Sequence, residues 1–184
     1  MRHLPVYALK AVREGSVAIE HIPQIHYADD VAPILLDFLD GADREHFVVV
    51  TLDTRHRVSG LHTAGIGSLN AVDTPPREVF KIAVVRNAAA IIVAHNHPSG
   101  EVHASAEDQQ LTTTLVAVGR LLEIPVLDHL IVGFGRRWTS LRTDYPDLFE
   151  DAASRLACRP DGRAELADAH GAASHPTLSS GGLP

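Results

Sequence analysis

The stretch AHNHPSGEVHASAED, Ala94 to Asp108, gathers three histidines, two serines and three carboxylates directly after a run of apolar residues. Side chains alternate along a strand, so His95 and His97 at a strand end share one face and Asn96 takes the other. Two imidazoles on one face can bind a single metal ion. Asp108 lies on the apolar stripe of a following helix, three places before Leu111, which leads on to Leu115, Val118 and Leu122. A carboxylate on an inward helix face is costly unless a positive charge meets it, and a divalent cation held by the two histidines would do so. Ser105 is placed to cap this helix with Asp108 at the N3 position. Two histidines and one carboxylate with room for water form the pattern of a catalytic zinc, with three protein ligands and an open fourth position. Hydrolysis at such a metal also needs a carboxylate to carry a proton from water to a leaving amine. Glu45, opening a central strand, is the candidate. Glu78 is the rival, although its place near a helix start is accounted for by the helix dipole.

These residues need elements to position them. The first 25 residues suggest one or two short strands around Tyr7-Ala8-Leu9 and Val17-Ala18-Ile19. Val31, Ile34, Leu35, Phe38 and Leu39 then share one helical face, with Asp29 or Asp30 to cap its start and Gly41 to end it. Glu45 to Asp53 reads as a strand covered on both faces, being almost continuously apolar and rich in β-branched residues. After a polar turn, Val58 to Thr63 reads as the returning strand, and Gly65-Ile66-Gly67 as a turn. Thr74-Pro75-Pro76 begins a helix with Val79, Phe80 and Ala83 inward and Asn87 as its stop. Ala88 to Ala94 is a second buried strand that ends at His95. A helix from Ser105 to Leu122 follows, then a third buried strand, Val126 to Val132, and a turn with a short edge strand up to Leu141. His129, within VLDHLIV, reads as a satisfied core histidine, and His103 as a surface loop residue. Strands alternating with helices predict an α/β layered domain with a mixed sheet. The domain is expected over 26–148, with 1–25 as an N-terminal strand region of it. From about Phe149 the composition turns to Ala, Gly, Ser, Asp and Arg without periodicity, so 149–184 is expected to be a disordered tail.

The totals narrow the function. A chain of 184 residues, 45% hydrophobic, is long enough for one domain with a true core. A formal charge of −7 points away from nucleic acid and from acidic membranes. Cys158 is the only cysteine, which excludes disulfide frameworks, cysteine-based zinc fingers and the Pro-Cys-x-x-Cys of zinc deaminases. No run approaches a membrane span, and the charged N-terminus does not read as a signal peptide, so a cytoplasmic protein is expected. The letters His-Asn-His alone suggest an HNH nuclease, but histidines adjacent on one strand do not suit its ββα unit.

The motif His95-Asn96-His97-Pro98-Ser99-Gly100, followed by Ser105 and Asp108, resembles the JAMM/MPN metallopeptidase signature: a distant upstream Glu, then His-x-His, seven residues, Ser, two residues and Asp. DREHFVVVTLD, GSLNAVDTPPREVFKIAVVRNAAAIIVAHNHPSG and LLEIPVLDHLIVG resemble its RadC-like branch more closely, so the likeness covers roughly Tyr7 to Leu141. The resemblance implies a mixed curved sheet flanked by helices and one Zn2+ per chain on His95, His97 and Asp108. It also implies Glu45 as general acid/base and Ser105 as the residue stabilising a tetrahedral intermediate. The activity implied is hydrolysis of a peptide or isopeptide bond in a peptide or protein substrate. The alternative is a catalytically silent or DNA-repair-associated binding module on the same fold. The helix-hairpin-helix-like N-terminal region of longer members is not in this sequence, which again points away from DNA. The loop departs from the family's acidic-Pro-x-Pro-Ser, with Val102 and Ala104 in place of the prolines, so loop rigidity is the property that this change touches.

Overall fold

A computed structural model describes residues 3–67 and 74–150. Its centre is a five-stranded mixed sheet of order β2-β1-β3-β4-β5, made of β1 (His46–Leu52), β2 (Val58–Ile66), β3 (Ala90–Asn96), β4 (Val126–Val132) and β5 (Trp138–Ser140). β1 pairs antiparallel with β2 and β3, β3 pairs parallel with β4, and β5 closes antiparallel on β4. A parallel neighbour needs a crossover, and α3 (Ala106–Leu121) supplies it between β3 and β4. Register slips within the β1–β2 and β3–β4 pairings add local bends to the sheet.

The three central strands are apolar at nearly every position because both faces of the sheet are covered. Val48, Val50, Leu52, Ile92 and Ala94 pack on one side against α1 (Ala28–Phe38). Phe47, Val49, Ile91, Val93 and Ile131 pack on the other against α3 and α2 (Pro76–Val85). A four-residue helix, α4 (Leu141–Asp144), and a 3-10 turn, Pro146–Leu148, complete the described chain.

Several expectations need correction. Residues 3–23 form no strand: Leu4, Val6, Tyr7 and Leu9 are exposed, and it is at its end that the segment meets the sheet, where the Pro23 carbonyl accepts from Val58 N at 3.4 Å and Gln24 bridges Arg57. Its apolar letters are too interspersed with charge to present a face that a neighbouring strand could cover. The N-cap of α1 is Tyr27; Asp30 caps from N3, its carboxylate accepting from the Tyr27 and His26 amides at 2.9 and 2.8 Å. Gly65 and Ile66 continue β2 rather than turning. The buried face of α3 is Thr112, Leu115, Val116 and Gly119, whereas Leu122 is 41% exposed. Gly119 faces inward at a position with no room for a side chain, since a Cβ there would sit 2.7 Å from the Ile124 carbonyl. Phe149 is buried beneath the Arg142 guanidinium, which stands 5.2 Å from its ring centroid, so packing reaches past residue 148. The remainder of the expected tail, 151–184, and the first two residues lie outside the described residues.

Candidate metal centre

The site forms where β3 ends and α3 begins. β3 is buried along its whole length and delivers His95, itself 1% exposed, onto the α2–α3 side of the sheet. The Phe47 ring of β1 stacks parallel to the His95 ring, at 6.1 Å and 9°. The chain then turns through a tight loop. His97 N donates to the Val132 carbonyl at 3.1 Å, and Gly100 N donates to the His97 carbonyl at 2.9 Å. Gly100 takes φ +78, a conformation that glycine adopts without a Cβ clash. His97 Nδ1 lies 3.0 Å from the Glu101 carbonyl. A carbonyl only accepts, so Nδ1 bears the hydrogen and the neutral ring of His97 presents Nε2 as a lone pair. Val102 packs within reach of Gly133, and Arg137 Nη2 donates to the Gly100 carbonyl at 2.7 Å. The loop is thus tied down by contacts other than proline rings.

Ser105 caps α3 as its spacing predicts. Its Oγ accepts from the Asp108 amide at 3.1 Å, while Asp108 Oδ2 accepts from the Ser105 amide at 2.8 Å and from its hydroxyl at 2.7 Å. This reciprocal box fixes the carboxylate and turns Oδ1 towards His95. Three polar side chains then converge. His95 Nε2 is 2.9 Å from His97 Nε2 and 3.1 Å from Asp108 Oδ1, and His97 Nε2 is 3.6 Å from Asp108 Oδ2. Ligands about 2.0–2.1 Å from a tetrahedral zinc stand roughly 3.3 Å apart, and these separations bracket that value. The donor set, two imidazoles and a carboxylate, fits a divalent metal of that size, and this trio could hold one.

Electrostatics follow from the same geometry. The hydrogen bond with Asp108 pushes His97 up, against burial, with help from the charges of Asp108 and Glu45. For Asp108, burial acts upward, but the hydrogen bonds with His95 and His97 outweigh it and hold the carboxyl far below the usual range.

Glu45 sits one residue before β1, nearly buried, and close enough for its charge to act on His97. Among the described residues, no hydrogen bond or ion pair holds its carboxylate. Its backbone is clamped instead. Asn96 Oδ1 accepts from the His46 amide at 2.8 Å, Asn96 Nδ2 donates to the Arg44 carbonyl at 2.9 Å, and the Glu45 carbonyl accepts from Gly67 N at 2.8 Å. Glu78, the rival, is half-exposed on α2 and hydrogen-bonded to Lys81, which lowers its pKa. His103 is exposed, as expected. Asn96 and Thr112 carry weight that the sequence reading missed. The signal for Thr112 was its place four residues after Asp108, on the same face of α3.

A mixed five-stranded sheet with such a trio at the mouth of one crossover defines an α/β domain with a candidate metal centre. Residues 25–145 match the family model of the RadC-like JAB domain, and the chain belongs to that family. It is 53% identical over 125 residues to a UPF0758 protein of Chloroflexus aggregans, covering 68% of this chain and 54% of that one. A UPF0758 protein of Moorella thermoacetica is 52% identical over 113 residues, covering 61% and 49%. One of Desulforamulus reducens is 42% identical over 119 residues, covering 65% and 52%. The chain spans about half the length of the curated relatives it matches. Among the described residues, no helix is long and apolar enough to cross a membrane.

Proposed function

We propose that this chain is a zinc-dependent metallohydrolase that cleaves a peptide or isopeptide bond. The observation that carries this reading is the juxtaposition of His95, His97 and Asp108 with Glu45, a nearly buried carboxylate beside His97 with no hydrogen-bonding or ion-pair partner among the described residues. Zinc on such a trio supplies Lewis acidity, polarising a carbonyl and acidifying water. His95, His97 and Asp108 would hold it. Glu45 takes the proton of the water that attacks the carbonyl carbon and hands it to the leaving nitrogen as the C–N bond breaks. Asn96 keeps the Glu45 backbone in register for both transfers. Ser105, whose hydroxyl holds Asp108, would release it to steady the oxyanion that forms on the substrate carbonyl.

The test is elemental analysis of the purified chain beside His97→Ala, followed by a screen of peptide and isopeptide substrates. About one zinc per chain in the wild type and little in the variant is expected. Glu45→Gln should keep the zinc and lose hydrolysis; if it loses the metal, Glu45 is a ligand and the role given to it is wrong. A correctly folded wild type that takes up no zinc would leave a binding module on the same fold. Full DNA binding by the isolated chain at low salt would favour the repair-associated reading.

A further inference from the structure

We propose that His129 and Thr112 form a one-way hydrogen-bond relay that fixes His95 as its Nδ1–H tautomer and so bares Nε2 for the metal. The inference rests on the metal-centre reading above. It adds to that reading two positioning residues, neither of them a ligand.

The direction of the relay follows from counting hydrogens. Thr112 Oγ1 lies 2.6 Å from the Asp108 carbonyl, which can only accept, so the single hydroxyl hydrogen goes there. The same oxygen lies 2.7 Å from His129 Nδ1 and must therefore accept from it, which places a hydrogen on Nδ1. His129 is fully buried, and burial favours its neutral ring with one N–H. Its Nε2 is then a lone pair. His95 Nδ1, 2.8 Å away, satisfies that lone pair only by donating, and a neutral His95 is left with Nε2 bare. That atom is the one facing His97 Nε2 and Asp108 Oδ1.

The opposite direction would require the Thr112 hydroxyl to give one hydrogen to two acceptors. The relay thus runs from the Asp108 backbone carbonyl through α3, β4 and β3 to the bare Nε2 that faces the carboxylate of the same residue. Thr113 and Thr114 make the same bond to the carbonyl four residues back, at 3.0 and 2.9 Å, but from exposed positions. Among these three threonines, only the hydroxyl of Thr112 meets a histidine. The Phe47 ring, edge-on to His129 at 5.5 Å and stacked on His95, restricts both imidazoles to this arrangement.

The test compares zinc affinity, by competition with a chromophoric chelator, in the wild type, Thr112→Val and Thr112→Ser. It adds the histidine 15N spectrum of the metal-free wild type at alkaline pH. Thr112→Val keeps the shape and removes the acceptor, so zinc affinity should fall about 10- to 100-fold, whereas Thr112→Ser should restore it. The spectrum should show His95 and His129 both carrying hydrogen on Nδ1. Wild-type affinity in Thr112→Val, or an Nε2–H tautomer of His95, overturns the relay. Should Thr112→Val fail to fold, the wild-type spectrum and the serine variant decide alone. A folded wild type that binds no zinc overturns the metal-centre reading, and the spectrum still decides the relay.

Discussion

His95 Nε2 stands 3.1 Å from Asp108 Oδ1, with the imidazole at the end of a buried strand and the carboxylate in the first turn of the next helix. The contact joins the two ends of the loop 97–105 and places a carboxylate against a nearly buried imidazole.

A cation between these groups replaces a weaker, proton-dependent contact, so removing it should loosen the domain. Free zinc at about 100 times its dissociation constant should stabilise the fold by about 2.7 kcal/mol over chelator-treated protein. Thermal melts with zinc and with chelator measure this, and His97→Ala should erase the increment.

Asn96 holds the backbone on both sides of Glu45, and its removal leaves the His46 amide without that acceptor. Asn96→Ala should cost about 1–3 kcal/mol in urea unfolding. Its zinc content should stay at the wild-type level while hydrolysis falls with the displaced carboxylate. Loss of zinc equal to that of His97→Ala would show that Asn96 supports the ligands instead.

Gly133 touches the loop directly: a Cβ there would lie 2.4 Å from the Gly100 carbonyl and 2.7 Å from Val102 Cγ1. Gly133→Ala should cost about 1–3 kcal/mol and weaken zinc binding by moving the His97 loop. Adding Val102→Ala should not rescue it, because the contact with the Gly100 backbone remains. Zinc titration of the single and double variants checks both statements.

Asp128 is fully buried, and burial raises its carboxyl to about 6 despite hydrogen bonds from the Ser140 hydroxyl and the Arg142 and His129 amides. The folded state therefore binds this proton more tightly than the unfolded chain does. Its contribution to stability is present below the unfolded value near 3.8 and is lost as pH rises through about 6. The stability of the wild type relative to Asp128→Asn should fall by about 3 kcal/mol between these limits, at about 1.4 kcal/mol per unit, and stay level above them. Urea titrations across this range measure it; a difference that rises with pH would refute it.

Much of this was legible in the sequence, for physical reasons. β1, β3 and β4 announced themselves because strands covered on both faces must be apolar throughout, and the trio because its residue types and spacing follow a strand end and a helix start. Ser105 was legible twice, as cap and as motif. The inward face of α3 was misread because apolar letters were counted, while Thr112 turns inward for a hydrogen bond and Gly119 for a close approach. Asn96 was assigned only a direction, since nothing local shows that it reaches back to β1. Residues 3–23 were over-read from apolar triplets that find no covering surface. The end of the domain was drawn before Phe149 because the change in composition precedes this packed ring.

His95, His97, Asp108, Thr112 and His129 all come from one uninterrupted strand–helix–strand stretch, whereas Glu45 arrives from β1, whose His46 is 50 residues from the Asn96 it meets. On the proposed reading, the ligands need one local crossover to close, whereas the base needs a distant strand to dock. Opening of the β1–β3 pairing would remove the base and the Phe47 ring stacked on His95, while the three ligand residues stay joined through the crossover.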